Sequence, residues 1–158
     1  MRPRPANPAS RVRRRAGRVA GRAPRSAPPV AGYSKRSRMD KLGVKPGMRV
    51  AVIGLPGADL LRELRGRTTD IAKGRPRANT DLILLGVETP ATLRRLGPVQ
   101  RAIRRDGAIW AVWPKGMKHI SEGMIRDAAI AHGLVDVKVI AFSEALSGLK
   151  LVIPLARR

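Results

Sequence analysis

The sequence contains no cysteine among its 158 residues and only four aromatic side chains. The missing cysteine excludes a disulfide framework, a zinc site with thiolate ligands and a cysteine nucleophile. So few aromatic side chains argue against a stacking platform for single-stranded bases. No stretch approaches the roughly 20 consecutive apolar residues of a membrane-spanning helix, so we predict a protein that does not cross a membrane.

Acidic residues are also scarce, with 11 Asp and Glu against 33 Lys and Arg and a formal net charge of +22. Residues 1–30 carry nine Arg and no acid, whereas residues 31–158 carry the remaining 24 basic residues and all 11 acids, a net charge of +13. Such a surplus of one sign favours weak, salt-dependent binding of polyanions such as nucleic acid.

Residues 1–30, the N-terminal arm, hold six of the 13 prolines and none of Leu, Ile, Phe, Trp or Tyr. Because nothing there offsets the entropy of ordering, we expect the arm to be disordered in isolation, with Arg13, Arg14 and Arg15 as candidate polyanion-binding residues. Other interpretations remain open: the codon bias of a GC-rich genome, a true translation start near Val30, or an organelle transit peptide. A secretory signal is not expected, because no apolar segment follows the arginine run.

The first half of residues 31–158 alternates strand and helix signals. The apolar run at 49–53 predicts a buried strand, and 58–65 (ADLLRELR) predicts an amphipathic helix. Residues 66–80 are polar and are either a loop or a loop that contains one weak edge strand near 69–72. The continuous apolar run at 81–87 predicts a strand that is covered on both faces.

Thr89-Pro90 is typical of a helix start, and Gly97-Pro98 predicts an interruption that divides this segment into two short helices. On these helices we expect apolar residues to face the sheet: Leu93, Leu96, Val99 and Ile103. The opposite face carries a second candidate polyanion surface: Arg94, Arg95, Arg101, Arg104 and Arg105. Asp106-Gly107 then predicts a turn into a strand at 108–113.

The last third predicts one helix and two strands. Ser121 is a candidate N-cap for a helix that ends at His132, with Gly133 as its C-terminal stop. The strand-like segments 135–142 and 148–155 are joined by a short connection that favours an antiparallel hairpin. The sequence therefore predicts a small Rossmann-like α/β domain over residues 31–158, with a mostly parallel sheet, helices on both faces and a C-terminal antiparallel hairpin.

This order of elements resembles a shortened S-adenosylmethionine-dependent methyltransferase fold. The resemblance is carried by LGVKPGMRVAVIG at the first strand, RRDGAIWAV later in the domain, and LVDVKVIAF with SGLKLVIP at its end. More closely, residues 31–158 resemble a bacterial family of short proteins of unknown function, through GYS, KLGVKPGMRV, GAIWAVWPK, GLVDVKV and SGLKLV. Leu146 stands where that family usually has an aromatic residue. The resemblance implies a fold and a bacterial cytoplasmic setting, and it implies no activity.

A working methyltransferase of this fold usually has an acid in its first strand, a glycine-rich turn after it, and a second acid after the next strand for the ribose hydroxyls. Here the first strand has no acid, and the turn Gly54-Leu55-Pro56-Gly57 has only two glycines. Asp70 could follow a second strand if one exists. The sequence therefore favours no cofactor and a cofactor cleft that is reduced or missing.

If a ligand site exists, it is expected where the parallel strands end, because ligands of open α/β sheets bind there. The candidate ligand-binding residues are Gly54, Pro56 and Gly57 in the first turn, and Trp113 and Lys115 at the end of a later strand. The simpler interpretations are a tight connection at the first turn and a solvated loop at Lys115. Alternation along the strand places Trp110 and Trp113 on different faces.

No catalytic residue and no metal site is predicted, because His119 and His132 are the only histidines and their spacing does not favour a shared metal. His132 is explained as a residue of a helix C-terminus. We predict a non-catalytic binding or regulatory module whose partners the sequence does not identify. The alternatives are a small-molecule or S-adenosylmethionine-dependent enzyme, and a basic protein that associates with nucleic acid without sequence specificity.

Overall fold

The computed structural model describes residues 36–158. The predicted N-terminal arm, with Arg13, Arg14 and Arg15, lies outside the described residues. Residues Arg38–Arg158 form one compact unit. Its helices are α1 (Arg38–Leu42), α2 (Ala58–Arg65), α3 (Leu96–Gln100) and α4 (Glu122–Ala131), with 3-10 turns at Pro90–Arg95 and Leu155–Arg157. Its strands are β1 (Val50–Ile53), β2 (Ile71–Lys73), β3 (Thr80–Gly86), β4 (Ile103–Pro114), β5 (Val135–Ala141) and β6 (Leu146–Val152).

All six strands form one sheet in the order β2-β1-β3-β4-β6-β5. The pairs β1–β2, β1–β3 and β3–β4 are parallel, and β6 runs antiparallel between β4 and β5. The predicted fold class is confirmed: a Rossmann-like, mostly parallel sheet with antiparallel C-terminal strands.

Alternating strand residues divide the apolar interior into two cores, one on each face of the sheet. One core joins the strands to the 3-10 turn at Pro90–Arg95 and to α3 and α4, and includes Ile83, Leu85 and Trp113. The other joins them to α1 and α2, and includes Leu84 and Trp110. Burial on both faces explains why β3 is apolar at nearly every position. The two tryptophans lie on opposite faces, as the alternation predicts.

The elements of the first half agree with the sequence except at α1. The helix predicted at 58–65 is α2, whose Leu60 and Leu64 are buried. The polar segment does contain an edge strand, the three-residue β2, so the second of the two interpretations is correct. Helix α1 was not predicted, because five residues are too short to show a helical period.

The segment after Thr89 forms two short helices, as predicted, but the interruption lies at a different residue. A 3-10 turn ends at Arg95 and α3 begins at Leu96, so Pro98 lies in the first turn of α3. Proline is tolerated there because the first N–H groups of a helix have no partner within it. The expected apolar face is buried: Leu93, Leu96, Val99 and Ile103.

Two expectations about the segment that follows are wrong. Arg104 and Arg105 lie in β4, which begins at Ile103, and are not on the helix pair with Arg94, Arg95 and Arg101. The predicted turn at Asp106-Gly107 is an irregularity within β4, because Ile103 pairs with Thr80 and Ala108 pairs with Leu82. Position 107 favours glycine, because the Cβ atom of any other residue would lie only 2.8 Å from the Asp81 carbonyl oxygen of β3.

Helix α4 follows Ser121 as predicted and ends at Ala131, one residue before the predicted end at His132, which is its C-cap. The Ser121 hydroxyl accepts a hydrogen bond from the Met124 amide at 3.3 Å, and Gly133 follows the helix with φ +78°. Arg126 joins α4 to β5, because its Nε donates to Asp136 at 3.0 Å. That hydrogen bond lowers the pKa of Asp136.

The Trp110 side chain links the centre of the sheet to α1. Its ring is fully buried, and its Nε1 donates a hydrogen bond to the Leu42 carbonyl oxygen at 3.0 Å. Leu42 is the last residue of α1, where carbonyl groups lack partners within the helix. This hydrogen bond therefore satisfies a helix end and holds α1 against the sheet.

Replacing Trp110 tests this link. We expect Trp110→Phe to lower the free energy of unfolding by about 1–2 kcal/mol more than Trp113→Phe, because only Trp110→Phe leaves the buried Leu42 carbonyl without its donor. Trp113 is the matched control, since it is also buried and its indole makes no hydrogen bond within residues 36–158. Urea denaturation of both variants measures the difference, and equal losses would contradict this role of Trp110.

Candidate functional site

The candidate site lies at the edge of the sheet where the four parallel strands end. Strands β1, β2, β3 and β4 end at Ile53, Lys73, Gly86 and Pro114, and parallel pairing brings these ends to one side. This carboxyl edge is where open α/β sheets bind ligands.

The turn after β1 approaches β3 at two glycines. Gly54 has φ +68°, a conformation that favours glycine, and its carbonyl group lies against Gly86. A Cβ atom on Gly86 would overlap the Gly54 carbonyl oxygen and would lie 3.2 Å from the Leu55 side chain. Backbone and Leu55 atoms therefore fill the space between the ends of β1 and β3.

A shallow cavity of about 440 Å³ opens beside this turn. Two predicted site residues, Gly54 and Pro56, line it. Its other lining residues come from three segments at the same edge: Val52, Leu55, Leu61, Lys73, Gly74 and Glu88. We call it the carboxyl-edge cavity.

The other predicted ligand-binding residues do not line this cavity. Gly57 is exposed with φ +134° at the start of α2, where the Asp59 carboxylate forms an ion pair with Arg62 at 2.7 Å. Trp113 is buried in the core that packs against α4, so a ligand cannot stack on its ring. Lys115 is exposed in the loop after β4, and its amide donates to the Ala145 carbonyl at 2.9 Å.

Lys73 and Glu88 line the candidate site and were not among the residues predicted from the sequence. Lys73 ends β2 and Glu88 lies two residues after β3, and both side chains are exposed. Their positions at the ends of parallel strands could have indicated a place at the site. For Lys73, that inference requires strand β2, which the sequence left open. The Glu88 carbonyl also accepts a hydrogen bond from His119 Nε2 at 2.8 Å, which joins the loops after β3 and β4.

Asp70 lies away from this cavity, at the opposite edge of the sheet. It precedes β2, and its carboxylate forms ion pairs with Arg49, at 3.1 Å, and with Arg77. Asp81 and Arg104 belong to the same network, joined at 3.4 Å, and the four residues Arg49, Asp70, Asp81 and Arg104 help to line a polar cavity of about 540 Å³. The acid that could have followed a second strand therefore precedes it, so the structure overturns that expectation.

The arginines of the candidate polyanion surface are all exposed but are divided between two places. Arg94 and Arg95 end the 3-10 turn and Arg101 follows α3, whereas Arg104 and Arg105 lie in β4. Arg104 is engaged by Asp81 and Asp106. Within residues 36–158 the other four arginines form no ion pair.

Residues 36–158 contain no group of three side chains that could hold a metal ion. His119 and His132 belong to different parts of the fold, since His132 caps α4 and packs against Gly97 of α3. In the same part of the chain, no helix is long and apolar enough to span a membrane.

Comparison with solved structures relates this fold to methyltransferases. The chain is similar to a SAM-dependent methyltransferase from Aquifex aeolicus, with TM-score 0.60, 13% identity, and coverage of 73% of this chain and 87% of that one. It is also similar to a ribosomal protein L11 methylase from Lactobacillus delbrueckii subsp. bulgaricus, with TM-score 0.55, 15% identity, and coverage of 73% and 74%. A putative type 11 methyltransferase from Sulfolobus solfataricus matches with TM-score 0.54, 13% identity, and coverage of 73% and 88%. No family model and no curated protein matches the chain. These likenesses establish the fold alone.

The residues at the carboxyl edge do not fit S-adenosylmethionine as the resemblance would require. No acid lies in β1, Lys73 stands at the end of β2, and Gly74 follows it. The resemblance implies an acid after the second strand for the ribose hydroxyls, whereas here the last residue of β2 is the cation Lys73. The close approach of Gly54 and Gly86 further narrows the space beside the turn.

The contact between Gly54 and Gly86 predicts a large effect of a single methyl group. We expect Gly86→Ala to lower the free energy of unfolding by about 3 kcal/mol, because the added carbon overlaps a backbone carbonyl that cannot move without disturbing β1. Gly123→Ala is the matched control, since a Cβ atom there lies 3.9 Å from the Ser121 hydroxyl in open space. Urea denaturation compares the two, and a Gly86→Ala protein as stable as the control would refute the contact.

Proposed function

We propose that this protein is a non-catalytic binding module with a methyltransferase-like fold, and that the carboxyl-edge cavity is its ligand site. The observation that carries the proposal is that β2 ends in a lysine and has no acid at its carboxyl end. The resemblance implies a carboxylate after the second strand for the cofactor's ribose, but Lys73 ends β2, and Asp70 lies at the opposite edge in ion pairs with two arginines.

The side chains of the cavity support binding over catalysis. Lys73 and Glu88 are its two ionisable residues, and apolar Leu55 and Leu61 form part of its wall. The lining contains no Ser, Thr, Cys or His that could pair with a base to act as a nucleophile. An ammonium group beside apolar side chains favours a small ligand that carries an anionic group.

The resemblance to a bacterial family of short proteins and the cytoplasmic setting belong to this proposal as well. Both rest on the sequence patterns GYS, KLGVKPGMRV, WAVWPK, GLVDVKV and SGL. A regulatory role would follow if ligand binding at the carboxyl edge changed how the protein meets a partner.

The proposal predicts that S-adenosylmethionine does not bind with useful affinity. We expect isothermal titration of the full chain with S-adenosylmethionine and S-adenosylhomocysteine to give no saturable heat up to 1 mM. If S-adenosylmethionine bound with a dissociation constant of 0.1 mM, 1 mM of it would also raise the free energy of unfolding of the protein by about 1.4 kcal/mol. An active methyltransferase of the same fold, titrated in the same buffer, is the positive control. Saturable binding below 1 mM would overturn the non-catalytic proposal in favour of the enzyme alternative.

A second candidate function is sequence-independent binding of nucleic acid. The observation that favours it is that Arg94, Arg95, Arg101 and Arg105 are exposed and form no ion pair within residues 36–158. Eight of the 11 acids, by contrast, take part in ion pairs: Asp40, Asp59, Glu63, Asp70, Asp81, Asp106, Glu122 and Asp136. The positive surplus is therefore concentrated in side chains that could contact phosphates.

Salt dependence tests this second candidate. For a 20-base-pair DNA duplex, we expect the double variant Arg94→Gln, Arg95→Gln to flatten the slope of log affinity against log salt by about two, one for each lost phosphate contact. The control is Lys115→Gln, Lys118→Gln, which removes the same charge from the exposed loop after β4. Filter binding of the full chain measures both, and equal slopes for the two variants would argue against a role for the arginine pair.

A further inference from the structure

Two lysines lie side by side on the face of the sheet that packs against α1 and α2. Lys138 of β5 pairs directly with Lys150 of β6, and Lys150 pairs on its other side with Trp110 of β4. Residues paired across neighbouring strands point to the same face, about 5 Å apart at Cβ. Like charges in this arrangement are destabilising unless a counter-charge is present.

A third lysine adds to the positive field. Partial burial lowers the pKa of Lys150, and the charges of Lys138 and Lys45 lower it further. Lys45 lies in the loop between α1 and β1, so the three lysines come from three separate segments of the chain.

No acid compensates this group, which we call the lysine triad. Within residues 36–158, none of Lys45, Lys138 and Lys150 forms an ion pair. Asp136 is the one acid of β5. It pairs with Leu151, whose side chain belongs to the core on the opposite face of the sheet, and it forms an ion pair with Arg126 of α4. The strand irregularity between Asp136 and Lys138 is what separates this acid from the triad.

We propose that Lys45, Lys138 and Lys150 bind the phosphate group of a small molecule at a site distinct from the carboxyl-edge cavity. A phosphate dianion would accept charge-assisted hydrogen bonds from several ammonium groups and relieve their mutual repulsion. Lys150 pairs with the buried Trp110 and is itself partly buried, and this partly desolvated setting strengthens such bonds. None of the three lysines lines the carboxyl-edge cavity.

Isothermal titration at constant ionic strength tests the proposal on the full chain. The probes are inorganic phosphate, pyrophosphate and adenosine monophosphate, because the phosphate could be free or attached to a nucleoside. We expect Lys150→Met to weaken binding about tenfold, the effect of losing one charge-assisted hydrogen bond, and Lys150→Arg to retain it. Lys118→Gln, which removes one exposed loop charge, is the matched control and should change the affinity less than twofold.

A second measurement follows the reactivity of the Lys150 amine itself. A lowered pKa leaves more of the Lys150 amine neutral and reactive, and a bound dianion reverses this shift. Acetylation by acetic anhydride, followed by peptide mass spectrometry, should therefore slow at Lys150 when pyrophosphate is added and stay unchanged at Lys118. Thermal unfolding confirms that Lys150→Met is folded, and its stability should not fall, because repulsion is removed.

The outcomes separate this site from the proposed function. Absence of saturable binding for all three probes up to 20 mM, or an equal loss in Lys118→Gln, would overturn the lysine triad as a phosphate site. A Lys73→Gln variant that abolishes phosphate binding would likewise overturn it, by assigning the phosphate to the carboxyl-edge cavity. Tight binding of S-adenosylmethionine would refute the proposed function and leave the triad unaffected.

Discussion

Burial of the sheet on both faces is the constraint on which the rest of this structure depends. Helices α1 and α2 cover one face of the sheet, and α3 and α4 cover the other. The central strands must therefore carry apolar residues on both faces, at nearly every position. Polar chemistry is thereby excluded from the middle of β1, β3 and β4 and is moved to the sheet edges and the outer strands. Trp110 illustrates the rule, since its one polar atom is satisfied by the end of α1.

The two edges of the parallel strands carry different chemistry as a result. At the amino edge, acids and arginines neutralise one another in a network around Asp70 and Asp81. At the carboxyl edge, Lys73 and Glu88 flank a shallow cavity, and the backbone fills the space between Gly54 and Gly86. The molecule therefore has the methyltransferase-like fold, with a lysine at the end of β2 and its acids at the amino edge held in ion pairs.

Ion pairs engage most of the acids of residues 31–158, a part of the chain with a net charge of +13. Eight of the 11 acids form ion pairs, and five of these acids join separate segments, as Glu63 does with Arg38 and Asp136 does with Arg126. Among residues 36–158, Lys138 of the edge strand β5 and Lys150 of the neighbouring strand β6 are two cations that pair in register. Because the ion pairs neutralise some of the cations, the unpaired cations of residues 36–158 define where the surface is positive.

Hydrophobic runs and turn residues by themselves determined the alternation of elements, the boundaries of α2, the start of α4, and the separation of Trp110 from Trp113, because each depends on neighbours within a few positions. The tertiary structure alone decided that β2 exists, that Arg104 and Arg105 belong to a strand, and that Trp113 is closed to ligands. It also brought Lys73 to the cavity and Lys45 to Lys150. These features depend on which strands pair and in what register, and the energy of such long-range pairing is not contained in any short stretch of sequence.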